Sequence, residues 1–291
     1  MQLNTLLKSI QQHWQGHRFH VSVLYNCSSD IYANGYDLLK TRFPQVKFVQ
    51  ESNNISGHKL NELLLMFNLK RYIKYRYIRH PKSDFRTKLI GLLNQAEAEF
   101  VMFLTDDSQF IADVTIDSSV KDEILADPYN IQYSLRLGQN INYPGKINYV
   151  NKNLIAWNFN DPKNKRDWRY NFSVDAHIYS KKVIIDLAQR ILFSNPNSYE
   201  AFTTIFCRKK GWLNRGVANI EPSILSFPIN MVQDVQNNES LAVSIEQLEK
   251  WFEKGYELDY PKPERIEAFQ YYPKFLILSS PSGDEQLKVE L

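Results

Sequence analysis

Leu3, Leu6, Leu7, Ile10 and Trp14 recur with the three-and-four spacing of one helix face, so residues 3–14 are expected to be helical. The next apolar stretch alternates instead. Phe19-His-Val-Ser-Val-Leu-Tyr25 reads as a strand that stops at the polar loop Asn26-Cys-Ser-Ser-Asp30. Tyr36-Asp-Leu-Leu-Lys-Thr-Arg-Phe43 reads as a helix closed by Pro44, and Val46-Lys-Phe-Val-Gln50 as a second strand ending at Glu51-Ser-Asn-Asn54. Helices are expected around residues 59–69 and 84–98. The short apolar run Phe100-Val-Met-Phe-Leu104 is bounded as a strand buried on both faces would be. Strands alternating with helices at this spacing predict βαβ units and a mostly parallel sheet.

Beyond residue 107 the pattern changes. Residues 131–137 read as a strand, and 138–167 as an Asn-rich loop interrupted by Ile155-Ala-Trp-Asn-Phe159. Residues 172–179 read as another strand, followed by helices over 181–192 and 198–210. A last helix over 245–256 leads into a Pro-rich tail, so residues 1–240 are expected to form the main domain and 241–291 a small extension packed on it.

Composition narrows the classes without choosing one. A chain of 291 residues with 43% hydrophobic and 23% charged residues can bury the core of an ordinary globular protein. A net charge of +3 argues against a general nucleic-acid binder. Two cysteines far apart, Cys27 and Cys207, make neither a disulfide framework nor a zinc site. The start Met1-Gln-Leu-Asn-Thr lacks the long apolar stretch of a signal peptide, and no segment has the length of a membrane span, so a cytoplasmic location is expected. The one strong charge cluster, Lys70-Arg-Tyr-Ile-Lys-Tyr-Arg-Tyr-Ile-Arg-His80, reads as a solvated face. Its second reading is a peripheral contact with the inner face of the cell membrane.

The chemistry is densest where the 100–104 run meets Asp106 and Asp107. Adjacent carboxylates repel unless a positive group sits beside them, and a hard divalent cation shared with substrate phosphates is a natural partner. A polar turn in which Asp107 or Ser108 caps the next element is the alternative. Strand, helix, strand with a terminal acid, helix, then an apolar strand ending in Asp-Asp resembles the nucleotide-sugar-binding half of GT-A fold glycosyltransferases, family 2 in particular, over roughly residues 19–230. The resemblance implies a GT-A, Rossmann-like α/β fold and an inverting transfer from a nucleotide-diphosphate sugar to a glycan or lipid-linked acceptor in surface polysaccharide synthesis. It places the donor against Tyr25, Asn26, Ser28, Glu51, Asp84 and Asp106, with Asp107 and Asp106 on Mn2+ or Mg2+. Lys88, near the start of the 84–98 helix, is a further candidate for the diphosphate, its alternative a solvated side chain. The loop after the second strand departs from the family's Asp-Asp-Gly-Ser, and Thr105-Asp-Asp-Ser108 is a reduced form of its Asp-x-Asp.

For the base that an inverting transfer needs, Glu200 and Asp175 are the candidates, with Asp234 a weaker one. Glu200 occupies the family's Glu-Asp position in chain order, although Ala201 replaces the second acid; its alternative is a first-turn helix residue. Asp175 and His177 are expected on one face of a strand, either lining the acceptor site or pairing structurally. Arg136 and Trp157 are the further candidates for the acceptor groove, with a core role the alternative for Trp157. A binding protein of the same fold without transferase activity is the rival reading. A sugar nucleotidyltransferase ranks below it, because Asn26-Cys-Ser-Ser-Asp30 lacks that class's Gly-rich basic loop.

Overall fold

A computed structural model describes residues 1–14, 16, 18–27, 30–52, 83–143, 145–229, 243–260, 263, 270–283 and 286–290. The expected helix at 59–69, the basic cluster at 70–80, Ser28 and Asp234 lie outside these residues.

The first half follows the apolar pattern closely. Helix α1 (Gln2–His13) and strand β1 (Ser22–Tyr25) are followed by α2 (Asp30–Arg42), which begins six residues earlier than expected, and β2 (Lys47–Gln50). β1 and β2 pair in parallel, Tyr25 opposite Gln50. Then come α3 (Phe85–Gln95) and β3 (Phe100–Met102), the latter shorter than the apolar run that marks it. Asp106 and Asp107 form a turn into β4 (Ser108–Phe110), which pairs antiparallel with the later β10 (Ile224–Ser226). Helix α4 (Ser118–Ala126) went unread in the sequence. Asp117 caps it by accepting from the Ser119 amide at 2.9 Å.

The central sheet is mixed. Its other strands are β5 (Ile131–Ser134), the hairpin β6 (Ile147–Tyr149) and β7 (Leu154–Asn158), β8 (His177–Ser180) and β9 (Arg215–Asn219). The order is β3-β8-β5-β9-β7-β6, six strands with only β5 and β9 parallel. The expectation of a mostly parallel sheet therefore holds for β1–β2 and not for the sheet that carries the core. Two strand expectations were too long, each for a local reason. After Ser134 the side-chain oxygen accepts from the Arg136 and Leu137 amides at 3.3 and 3.1 Å, which turns the chain out of β5. Before His177, Ala176 takes a left-handed φ of 54°, and the Tyr179 hydroxyl bonds both the amide and the carbonyl of Ser173, so residues 172–175 stay out of the ladder while Ala176 still bonds Phe103 and Leu135 through its backbone.

Helices cover both faces. One core joins α1, α2 and α4 to the sheet through Leu6, Leu7, Leu39, Ile124 and Tyr133. The other joins α3 to α5 (Lys181–Arg190) and α6 (Pro196–Lys210) through Leu89, Ile184, Leu187 and Tyr199. Helix α6 is set by its ends: Asn195 and Ser198 form a reciprocal capping box, and Gly211 closes it at φ 69°. Past α7 (Ile245–Glu253), the tail expected to be irregular forms an antiparallel sheet of β11 (Glu257–Asp259), β12 (Phe275–Ser279) and β13 (Gln286–Glu290). Thr5 bonds the Leu258 carbonyl at 3.1 Å and Arg42 pairs with Glu257 at 3.2 Å, tying this unit to α1 and α2.

Gly216 in β9 faces Trp157, and a Cβ there would run into the indole. Gly216→Ala is expected to lower stability by about 1–3 kcal/mol through overpacking, read as a reduced midpoint in urea unfolding with an unchanged slope.

Candidate functional site

The turn at Asp106 and Asp107 is braced from two sides. The Ser108 amide donates to the Thr105 carbonyl at 3.1 Å, and the Phe227 amide to the Asp107 carbonyl at 2.7 Å, leaving both carboxylates outside the backbone ladder. Asp106 is the more exposed of the pair, with protein partly crowding its carboxylate. Desolvation raises its pKa, and it raises that of Asp107 to about 7, helped by the charges of Asp106 and Asp175.

Asp175 sits behind the turn. Ser108 Oγ donates to its Oδ1 at 2.8 Å, while Arg136 Nη1 and Ser226 Oγ donate to its Oδ2 at 2.8 and 3.0 Å. Arg136 also holds Asp167 at 3.1 Å, and the Tyr143 hydroxyl donates to the other oxygen of Asp167. Arg136 and Asp175 are 6% and 8% exposed, so this is a buried ionic cluster.

Glu200 reaches the same cluster from α6. Its Oε1 accepts from the Val174 amide at 3.0 Å, burial raises its pKa, and Arg136 and Asp175 are its charged neighbours. The pairing expected of Asp175 and His177 is corrected. The left-handed Ala176 between them breaks strand alternation, and His177 Nδ1 instead bonds the Asp175 backbone carbonyl at 2.9 Å. With Nδ1 donating, Nε2 is left as a buried acceptor without a partner. Burial, with the Arg136 charge, holds the His177 pKa down at about 3, so the ring is neutral.

The donor-side residues gather elsewhere on the sheet edge. Glu51 accepts from Ser83 Oγ at 2.6 Å, and desolvation raises its pKa. Asp84 accepts from the Ser52 amide at 2.8 Å and pairs with Lys88 at 3.2 Å. Lys88 also bonds the Gln50 carbonyl, so these residues knit β2 to the start of α3. Asn26 is exposed at the end of β1. Tyr25 is buried, stacked on Tyr36 at 3.9 Å, and so offers no free face. Two acceptor-groove expectations are also corrected. Trp157 is 2% exposed, packed edge-on against Phe159 and Trp168, because it fills the space over Gly216. Arg136 lies beneath the surface as the clamp on two acids.

Sequence reading missed Asp167 and Ser226. Ser226 had a signal, a lone hydroxyl in the apolar run Ile224-Leu-Ser-Phe227, whereas Asp167 lies in a single 3-10 turn with no periodicity.

Among the described residues, no group of three or more His, Cys, Asp or Glu side chains is placed to hold a metal ion. The residues present suit the other mode, in which one or two carboxylates share a cation with substrate phosphates. Asp106 and Asp107 are the residues that fit.

No protein-family model matches the chain. It is 24% identical over 252 residues to the bifunctional glycosyltransferase pgtA of Dictyostelium discoideum, an alignment covering 75% of this chain and 28% of that protein. The chain thus spans little more than a quarter of that relative. The mixed α/β architecture is compatible with a Rossmann-like fold. Among the described residues, no helix is long and apolar enough to cross a membrane.

The clamp carries a stability consequence. Asp175→Asn is expected to cost about 3 kcal/mol, because Arg136 stays buried with one anion fewer. Glu200→Gln, whose oxygen can still accept from Val174, is expected to unfold within a few degrees of the parent in thermal melts.

Proposed function

We propose that this protein is a metal-dependent glycosyltransferase, moving a sugar from a nucleotide-diphosphate donor to a saccharide hydroxyl with inversion. The observation that carries the reading is the convergence of the Asp106–Asp107 turn, Glu200 and Arg136 on Asp175. The similarity to a glycosyltransferase supports it independently.

In this reading the carboxylates divide the work. Asp107, with Asp106 beside it, holds the cation, which neutralises charge on the departing diphosphate. Asp175 has both oxygens committed to three donors, so it has little capacity left to take a proton. Glu200 accepts from the Val174 amide and is bonded by the Ser173 and Tyr170 hydroxyls, but among the described residues it has no direct ionic partner. Its pKa is raised by burial, and these properties suit a general base for the acceptor hydroxyl. Asp175 therefore acts as a positioning residue, holding Ser108 next to the metal-binding turn and Arg136 next to Glu200. Glu51, Asp84 and Asn26 remain the donor-side contacts.

The pH dependence follows from Asp107. Its folded-state pKa of about 7 lies above that of an unperturbed carboxylate, so the folded protein binds this proton more tightly than the unfolded chain. Without metal, the contribution of Asp107 to stability falls as pH rises toward 7. Manganese binds the deprotonated form, so its affinity should rise over the same interval and level off above it.

Calorimetry of nucleoside diphosphates with and without manganese tests the donor half. Asp107→Ala should abolish the manganese enhancement without unfolding the protein, and an unchanged metal-dependent affinity would remove the assignment. With a donor identified, Glu200→Gln should cut turnover by roughly 10² while donor affinity barely moves. Donor binding without transfer by the parent protein would favour a binding protein of the same fold.

A further inference from the structure

Two stretches distant in sequence bring positive charge together. Residues 163–170 and 196–215 hold eight Lys and Arg against two acids, a net charge of +6, where the whole chain carries +3. The remainder of the molecule is therefore net acidic. Arg208 joins the two stretches by donating from Nη2 to the Arg169 carbonyl at 2.6 Å, and Asn171 by donating from Nδ2 to the Trp212 carbonyl at 3.1 Å. The two acids are engaged within the protein, Asp167 by Arg136 and Tyr143 and Glu200 by the Val174 amide. Lys165, Arg166, Arg169, Arg208, Lys209 and Lys210 are exposed, and none of them forms an ion pair among the described residues. Like charges gathered without acids beside them raise the local potential, and a surface of that kind draws an anionic partner.

Apolar side chains adjoin these cations. Ile205 lies one helical turn before Lys209 on α6 and is 38% exposed. Phe206 and Trp212 are half-buried and pack edge to face with ring centres 5.4 Å apart. A merely solvated cationic face needs no such neighbours. An anionic bilayer suits both kinds of group, because its phosphates attract each nearby Lys or Arg and its headgroup boundary takes up exposed aliphatic and aromatic surface. A nucleic acid would use the cations and leave Ile205 in water.

We propose that the face formed by the 3-10 turn Arg166–Arg169 and the end of α6 docks on an anionic membrane surface, its cations against lipid phosphates and Ile205 at the headgroup boundary. Both parts of the face are held in place, the turn by the bond of Arg136 to Asp167 and α6 by its closure at Gly211. The net acidic remainder of the molecule is repelled by the same surface, so the charge distribution also sets the orientation. This face is separate from the basic cluster at 70–80 and does not depend on the transferase reading.

Sedimentation of the full chain with lipid vesicles in about 0.1 M salt is the test. The parent should bind vesicles of phosphatidylcholine containing about 30% phosphatidylserine, bind pure phosphatidylcholine far less, and lose its binding as salt rises. Lys165→Gln, Lys209→Gln and Lys210→Gln combined remove three exposed charges and should weaken partitioning about a hundredfold. Ile205→Ser should weaken it about fivefold. Both variants should keep the parent's melting temperature, because the replaced groups lie at the surface. No binding by the parent, equal binding to neutral and anionic vesicles, or equal binding by the parent and the triple variant overturns the proposal. A single-stranded DNA oligonucleotide bound by the parent and lost in the triple variant, with vesicles left unbound, overturns it in favour of a nucleic-acid surface. Anionic-vesicle binding lost in the triple variant upholds it whether or not nucleoside diphosphates bind.

Discussion

Arg136 is buried between Asp167 and Asp175, and the arrangement of the site depends on that placement. A guanidinium cannot lose its proton inside a protein, so its burial requires anions held at bonding distance. Those anions come from two separate stretches of chain, the 3-10 turn at Arg166–Arg169 and the irregular segment before β8. The ion cluster therefore holds the loop after β5, the 3-10 turn and the approach to β8 in one register. Asp175 extends the constraint through Ser108 to the Asp106–Asp107 turn and through Ser226 to β10.

The same cluster explains how several carboxylates coexist in a small volume. Asp107 and Glu200 each sense the charge of Asp175, and of the three only Asp175 has a direct ionic partner among the described residues. The other two carry raised pKa values, a state poised to bind a proton or a cation. The left-handed Ala176 is part of this arrangement. It turns Asp175 toward Arg136 and His177 back into the sheet, a local strain of the kind found where side-chain placement is over-determined.

The C-terminal unit belongs to the same construction. Tyr260, at the end of β11, stacks on Phe227 at 4.1 Å, and the Phe227 amide holds the Asp107 carbonyl. The three-stranded sheet of the tail therefore buttresses the turn that carries the carboxylate pair, besides covering α1.

The sequence by itself determined the elements whose cause is local. The helix at α1, the β1 and β2 strands, the apolar run into Asp106–Asp107 and the capped start of α6 were legible because periodicity and capping act over a few residues. It also singled out Asp106, Asp107 and Asp175, since acids beside or within apolar runs need an explanation, while Glu200 was marked by the family resemblance in chain order. Tertiary structure alone decided what each acid does. Arg136 read as a groove residue and Trp157 as either groove or core, because exposure is a property of packing across the sheet, here over Gly216 and beneath the Tyr143 loop. The partnership of Asp175 with Arg136, in place of His177, followed from one left-handed residue that no apolar pattern signals. Asp167 and Ser226 entered the site because long-range pairing brought a 3-10 turn and a short strand beside it, and pairings so distant in sequence leave no periodic trace in the chain.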